Sequence, residues 1–181
     1  MNELTTFFGL IDNQFSFGGT KYAHDKKKES TDCLFDDFGK GWLYGTMAKY
    51  CKRIKNLKRE RDILKIATYC FIIWLKRGFH LGHEGVEVPI NTTVDTKSTY
   101  YSDFKTLVSE EFLDGNSIIY DTDIDTLYAL LKDWQRKEWV ELDEEDILDV
   151  FGMCYGIWLK EFSENAGADQ DVFNETGGHN D

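Results

Sequence analysis

The chain is short of the residues that break or staple a fold. Only one of its 181 residues is proline, Pro89, so long helices can run almost anywhere in it. Its four cysteines (Cys33, Cys51, Cys70, Cys154) are scattered without a CxxC pair; the expectation is reduced, buried thiols rather than a metal or disulfide framework. No apolar run reaches the roughly 18 residues of a membrane span, and Met1-Asn2-Glu3-Leu4 puts no basic leader before an apolar stretch. A cytoplasmic protein without membrane association is therefore expected. Phe17-Gly18-Gly19-Thr20-Lys21 lacks the spacing of a phosphate-binding GxxxxGK[ST] loop, and no Ser-His-Asp or Cys-His nucleophile signature stands out.

Apolar and aromatic residues are plentiful, at 41% and 15%. A chain of this length can bury about 70% of its unfolded surface, so it needs no metal or disulfide to fold. Charge is unevenly placed within a net of −12: residues 1–80 hold 15 Lys/Arg against 9 Asp/Glu, and residues 81–181 hold 6 against 24. Seven of the thirteen residues from Lys49 to Arg61 are basic. Such a run meets phosphate, meets the acidic half, or is a solvated helix face.

The sequence aligns with itself, without a gap, when Leu43-Tyr44 is laid on Leu127-Tyr128. In the same register Glu60 falls on Glu144, Asp62-Ile63-Leu64 on Asp146-Ile147-Leu148, Cys70 on Cys154, and Ile73-Trp74-Leu75-Lys76 on Ile157-Trp158-Leu159-Lys160. Each copy reads as an antiparallel helical hairpin, with helices at about 40–56 and 60–77, then 124–138 and 144–162. Residues 66–75 are apolar on nearly every side, as in a buried core helix. Their counterpart carries Gly152 and Gly156 on one face, where another helix can approach, and Gly78 is placed to end the first core helix.

The fold expected is mainly α: a duplicated helical hairpin forming a four-helix core, with a small β or irregular insertion at about 79–102. Residues 103–113 read as a short linking helix and 114–117 as a turn, while the stretch from Met1 to Ser30 reads as irregular or short-stranded. One helical domain over 1–163 is followed by an acidic, mobile tail over 164–181. His80 and His83 with Glu84 read as loop residues, because Gly82 interrupts a helix there and no further ligands stand at zinc spacing.

Asp143, Asp146 and Asp149 recur at intervals of three, on roughly one side of a helix. They suit Mg²⁺ held through carboxylates and waters; alternatively Asp143 caps the helix and the acids complement its dipole. Arg59, Asp62 and Lys65 occupy the equivalent places in the first copy. The two sets either share one phosphate and metal centre or form interhelical salt bridges.

Gly45, Lys49, Tyr50 and Arg53, followed across a charged link by Asp62, Lys65 and Tyr69, resemble a family of small phage proteins that includes the C-terminal region of a phage nucleotide kinase. Its pattern is Gly-x-x-x-Lys-Tyr-x-x-Arg, then Asp-Leu-x-Lys-Ala-x-x-Tyr; here Leu64 and Ala67 each stand one place later than the family's Leu and Ala. The helical pair also resembles half of a MazG-type all-α nucleotide pyrophosphohydrolase. Asp143 and Asp146 suit that family's ExxD helix, while residues 127–138 carry no ExxE.

These resemblances imply a phage or mobile-element protein of nucleotide metabolism in the host cytoplasm. It would bind a nucleotide and transfer or hydrolyse its phosphate with Mg²⁺. Lys49, Lys52, Arg53 and Asp62 are the expected substrate-binding residues, and Asp143, Asp146 and Asp149 the expected metal ligands. A different class of function stays open: a non-enzymatic acidic interaction protein that imitates nucleic acid and occupies a basic host or defence protein, with its acidic half as the interface. Direct nucleic-acid binding through 49–61 is disfavoured by a pI near 4.7. A homo-oligomer is compatible with either reading.

Overall fold

The computed structural model describes residues 3–22, 30–81, 94–113 and 122–165. They form six α-helices: α1 (Glu3–Tyr22), α2 (Ser30–Leu57), α3 (Glu60–Lys76), α4 (Val94–Leu113), α5 (Ile124–Trp134) and α6 (Glu144–Glu161). Short 3₁₀ turns lie at Phe79–Leu81, Trp139–Glu141 and Ser163–Asn165. Among the described residues there is no strand, and the fold is mainly α.

The helices stack in three layers. The central layer is α3 against α6, with α2 and α5 on one side and α1 and α4 on the other. This sandwich explains why α3 is apolar all round: Ile63, Ile66, Phe71, Ile73 and Leu75 point in different directions, and none has an open side. Buried side chains of all six helices join one hydrophobic cluster.

α3 and α6 run antiparallel, and two hydrogen bonds at opposite ends of the pair set their register. Trp74 Nε1 donates to Glu144 Oε1 at 2.6 Å, and Trp158 Nε1 donates to Glu60 Oε1 at 2.9 Å. The two tryptophans are equivalent positions of the internal repeat, and so are the two glutamates. Each hairpin therefore presents to the other the contact it receives, as an isologous two-fold arrangement requires. Trp74 and Trp158 are 4% and 1% exposed, and α3 and α6 begin at the equivalent residues Glu60 and Glu144. These pairings support reading α2–α3 and α5–α6 as two copies of one hairpin.

Several expectations need correction. The N-terminal stretch is not irregular or short-stranded: α1 spans Glu3–Tyr22. Leu4, Phe7, Phe8 and Ile11 recur at helical spacing, and Phe7 lies 5.7 Å from Phe151 and 5.2 Å from Trp158, centroid to centroid. The proposed β insertion at 79–102 is helical from Val94 onward. Tyr101, Phe104 and Val108 of α4 are buried, so packing against Phe71 and Phe151 overrides the local β preference of Thr and Tyr. His83, Glu84, Pro89 and the 114–117 turn lie outside the described residues; so does the tail beyond Asn165, while Glu164 and Asn165 close the last 3₁₀ turn.

Local chemistry explains the helix ends. Within α2, Gly39 adopts φ 63° and ψ −161°, a left-handed backbone that glycine alone takes readily. The kink coincides with the expected helix start at 40. Gly78 follows α3 with φ 78°. α5 stops at Trp134 instead of continuing to 138, because Gln135 and Glu138 stand where the first hairpin has buried Cys51 and Ile54. Without apolar side chains to bury, another helical turn there would gain nothing from the core.

Candidate functional site

α2 and α5 pack antiparallel across the outer layer: Lys55 Nζ is 2.7 Å from Asp125 Oδ1 near one end, and Lys40 Nζ donates to the Lys137 carbonyl at 2.7 Å near the other. Between them lies an open groove of about 570 Å³. From α2 come Gly45, Ala48, Lys49, Lys52, Arg53 and Asn56, a spacing of three and four that places them along one helix face. From α5 come Tyr128 and Lys132, with Gln135 at its C-cap, on one face by the same rule. From Gly45 to Leu57 the groove follows about 18 Å of α2 at helical rise.

Small residues keep the groove open. A Cβ built at Gly45 meets nothing within 4 Å, so no neighbouring helix demands a glycine there. The walls are cationic. Lys52 Nζ lies 5.6 Å from the centre of the Tyr128 ring, and Lys132 Nζ donates to Gln135 Oε1 at 3.1 Å. Neither contact neutralises charge. Among the described residues no carboxylate pairs with Lys49, Lys52 or Lys132, although neighbouring Lys40, Lys55 and Lys58 all have acidic partners.

Arg53 belongs to two environments. It lines the groove, and its Nε stands 3.2 Å from Asp62 Oδ2 on α3. Its guanidinium carbon lies 5.6 Å from the Tyr50 ring centre, with Lys65 Nζ 5.2 Å from the same centre and Tyr69 stacked at 6.2 Å. The spaced residues that carried the phage-family resemblance thus gather in space. Asp62 has a fully buried side chain. Burial pushes its carboxyl above the ordinary value, while Arg53, Lys65, Arg61 and Arg59 pull the other way.

Asp143, Asp146 and Asp149 do not join this groove. Asp143 caps α6: its carboxylate accepts from the Asp146 amide at 2.8 Å, and Asp146 Oδ2 accepts from the Asp143 amide at 3.3 Å. Lys137 Nζ also donates to both Asp146 oxygens, at 2.9 and 2.8 Å. Because α3 and α6 are antiparallel, these acids sit beside the Trp74 end of α3, about 18 Å along the helix from Asp62 at helical rise. The expected common centre of Arg53 and Asp146 is therefore replaced by separate pairs within each hairpin, Arg53 with Asp62 and Lys137 with Asp146. Asp149 is exposed. Its carboxyl is pushed up by partial burial and by Glu145, Asp146, Glu111 and Asp143. Among the described residues no three His, Cys, Asp or Glu side chains converge as a metal site.

The remaining sequence candidates are structural. His80 packs edge-on against Tyr100 at 4.4 Å. Cys51, Cys70 and Cys154 are buried; desolvation raises the Cys51 thiol to about 12, so it is held protonated and unreactive. Sequence reasoning found Lys49, Lys52 and Arg53 but missed Tyr128, Lys132, Gln135 and the opening at Gly45. The spacing of Tyr128, Lys132 and Gln135 marks a shared helix face, but nothing local marks it as facing α2. Compared with known proteins, the chain matches no family model, no curated protein and no solved structure.

Proposed function

We propose that the α2/α5 groove binds the phosphate chain of a nucleotide. One observation carries this reading: in a chain with 33 acids against 21 Lys and Arg, the groove keeps Lys49, Lys52 and Lys132 together without acidic partners among the described residues. Lys40, Lys55 and Lys58, from the same stretch of chain, each have an acidic partner. Lys49, Lys52 and Arg53 lie within about 6 Å along α2, with Lys132 contributed by α5; three ammonium groups and one guanidinium so gathered suit a short phosphate chain, and the volume falls within the usual range of small-molecule sites. Magnesium enters this reading as the counter-ion carried by the phosphates. Phosphate transfer or hydrolysis remains part of the proposal through the kinase and pyrophosphohydrolase resemblances, and is assayed by product formation.

The test is thermal stability of the full chain with nucleoside mono-, di- and triphosphates, with and without Mg²⁺. A ligand at 100 times its Kd adds about 2.7 kcal/mol. Stabilisation that grows with phosphate number and disappears in Lys49→Ala/Lys132→Ala supports the groove. Gly45→Phe should also abolish it by filling the opening while leaving every charge in place. No shift with any nucleotide refutes the reading.

A second reading rests on the opposite face. Glu111 of α4 acts on Asp149 of α6 together with Glu145 and Asp143, so like charges gather where the acidic half of the sequence folds. Such a face suits a basic protein surface. Salt-sensitive binding of polylysine that is lost in Glu145→Lys/Asp149→Lys favours it; binding unchanged by those reversals rejects it.

A further inference from the structure

We propose that Asp62 is a positioning residue, fixing the Arg53 guanidinium so that its terminal amino groups face the groove; the inference rests on the phosphate-groove reading. Asp62 has a side chain with no exposed surface, and its one ion pair among the described residues is with Arg53 Nε at 3.2 Å. Neither carboxylate oxygen accepts an aligned hydrogen bond from a described residue. A buried carboxylate held by one oblique contact is costly, so its presence needs an explanation.

The second hairpin supplies an internal control. At the equivalent positions of the repeat, Lys137 and Asp146 make the corresponding pair, but Asp146 is 18% exposed, accepts two hydrogen bonds from Lys137 and one from the Asp143 amide. There the aspartate serves the helix end. In the first hairpin Arg59 stands at the N-cap position of α3 and makes no side-chain cap bond, and Asp62 accepts no hydrogen bond from the Arg59 amide, so neither half of a capping box forms. What it does contact is a groove residue.

The chemistry of arginine gives that contact a purpose. A guanidinium is a rigid planar fork; a carboxylate drawn to its Nε edge, as Asp62 is at 3.2 Å, favours orientations that turn the two terminal amino groups the other way. Lys49, Lys52 and Lys132 are mobile point charges by comparison. Asp62 thus makes Arg53 the directional member of the groove, able to meet two phosphate oxygens at once.

The experiment is calorimetric titration of the full chain with inorganic tripolyphosphate, followed by chemical rescue. Arg53→Ala should weaken binding about tenfold, Asp62→Asn by a similar factor, and the double variant no further. Millimolar methylguanidinium should restore binding to Arg53→Ala but not to Arg53→Ala/Asp62→Asn, because only the carboxylate can hold the added cation. A merely structural role for Asp62 would not make rescue depend on it. Wild-type affinity in Asp62→Asn, additive losses, or rescue without the carboxylate overturns the proposal. If Asp62→Asn does not fold, Arg53→Lys carries the test: it should lose as much affinity as Arg53→Ala, and near-normal binding overturns the assignment. Weakening by Lys49→Ala/Lys132→Ala with normal Asp62→Asn removes the positioning role and leaves the groove standing. Failure of the wild type to bind tripolyphosphate removes both.

Discussion

The two hairpins share a register and differ in what they do with it. In each, an aspartate in the first turn of the second helix pairs with a base from the segment before it: Asp62 with Arg53, Asp146 with Lys137. In α5–α6 the pair is partly exposed, fully hydrogen-bonded and joined to a helix cap. In α2–α3 the carboxylate is buried, the cap is absent and the base borders a cationic groove. A sequence offset alone would rank the two pairs as equals. Burial and hydrogen bonding show that one completes a helix end and the other leaves its chemistry directed at Arg53.

The reciprocal tryptophans offer the most damaging way to break the comparison. Trp158→Ala and Trp74→Ala should each cost about 3–5 kcal/mol in urea denaturation. Trp158→Ala should lie at the upper end, because Glu60 is 4% exposed and loses its indole donor inside the core. Glu144 is more open to water and tolerates the loss better. Equal and small effects would mean that the central pair does not hold the two hairpins together.

Exchanging the caps sharpens the contrast at smaller cost. Asp143→Ala should destabilise by about 1 kcal/mol. Arg59→Ser should stabilise by about 0.5–1 kcal/mol, since Arg59 already has the extended backbone of a cap, at φ −97° and ψ 110°, without a capping side chain. Denaturation midpoints for the two variants should therefore move in opposite directions.

Gly45 corresponds to Ala129 in the second hairpin. Gly45→Ala should stabilise α2 by about 0.8 kcal/mol, because the added methyl enters open space. Loss of stability would show that the opening is not free.

The smallest effect belongs to Asp149. Its folded carboxyl is raised above its ordinary 3.8, so the native state holds the proton more tightly than the unfolded chain and loses stability as pH rises through that window. Asp149→Asn should therefore be slightly more stable than wild type at pH 7, with the advantage vanishing below the ordinary carboxylate range. A thermal-melt series across pH 3 to 7 checks the sign.

Much of the scaffold was legible in the sequence. The all-round apolarity of 66–75, the Gly78 boundary and the offset between the two copies each reflect local helix rules, and α3, α6 and the helical part of α2 after Gly39 lie close to where those rules put them. α1 and the start of α4 were not legible. Gly18-Gly19 and the run of Thr and Tyr residues argue locally against helix, and the packing of Phe7 and Tyr101 outweighs them. For the site, the basic spacing located Lys49, Lys52 and Arg53 because they share one helix face, a property of α2 by itself.

By itself the sequence determined helix periodicity, the registers of α3 and α6, and the concentration of positive charge on α2. The tertiary structure decided the rest. Antiparallel packing placed α5 beside α2, which made Lys132 and Tyr128 a groove wall, and it carried the acids of 143–149 to the far end of α3. Helix register depends on neighbours three or four positions away, whereas the groove depends on contacts between positions 70 and 97 apart in the chain. Only packing determines which faces meet, which carboxylate is buried and which cations are left without one.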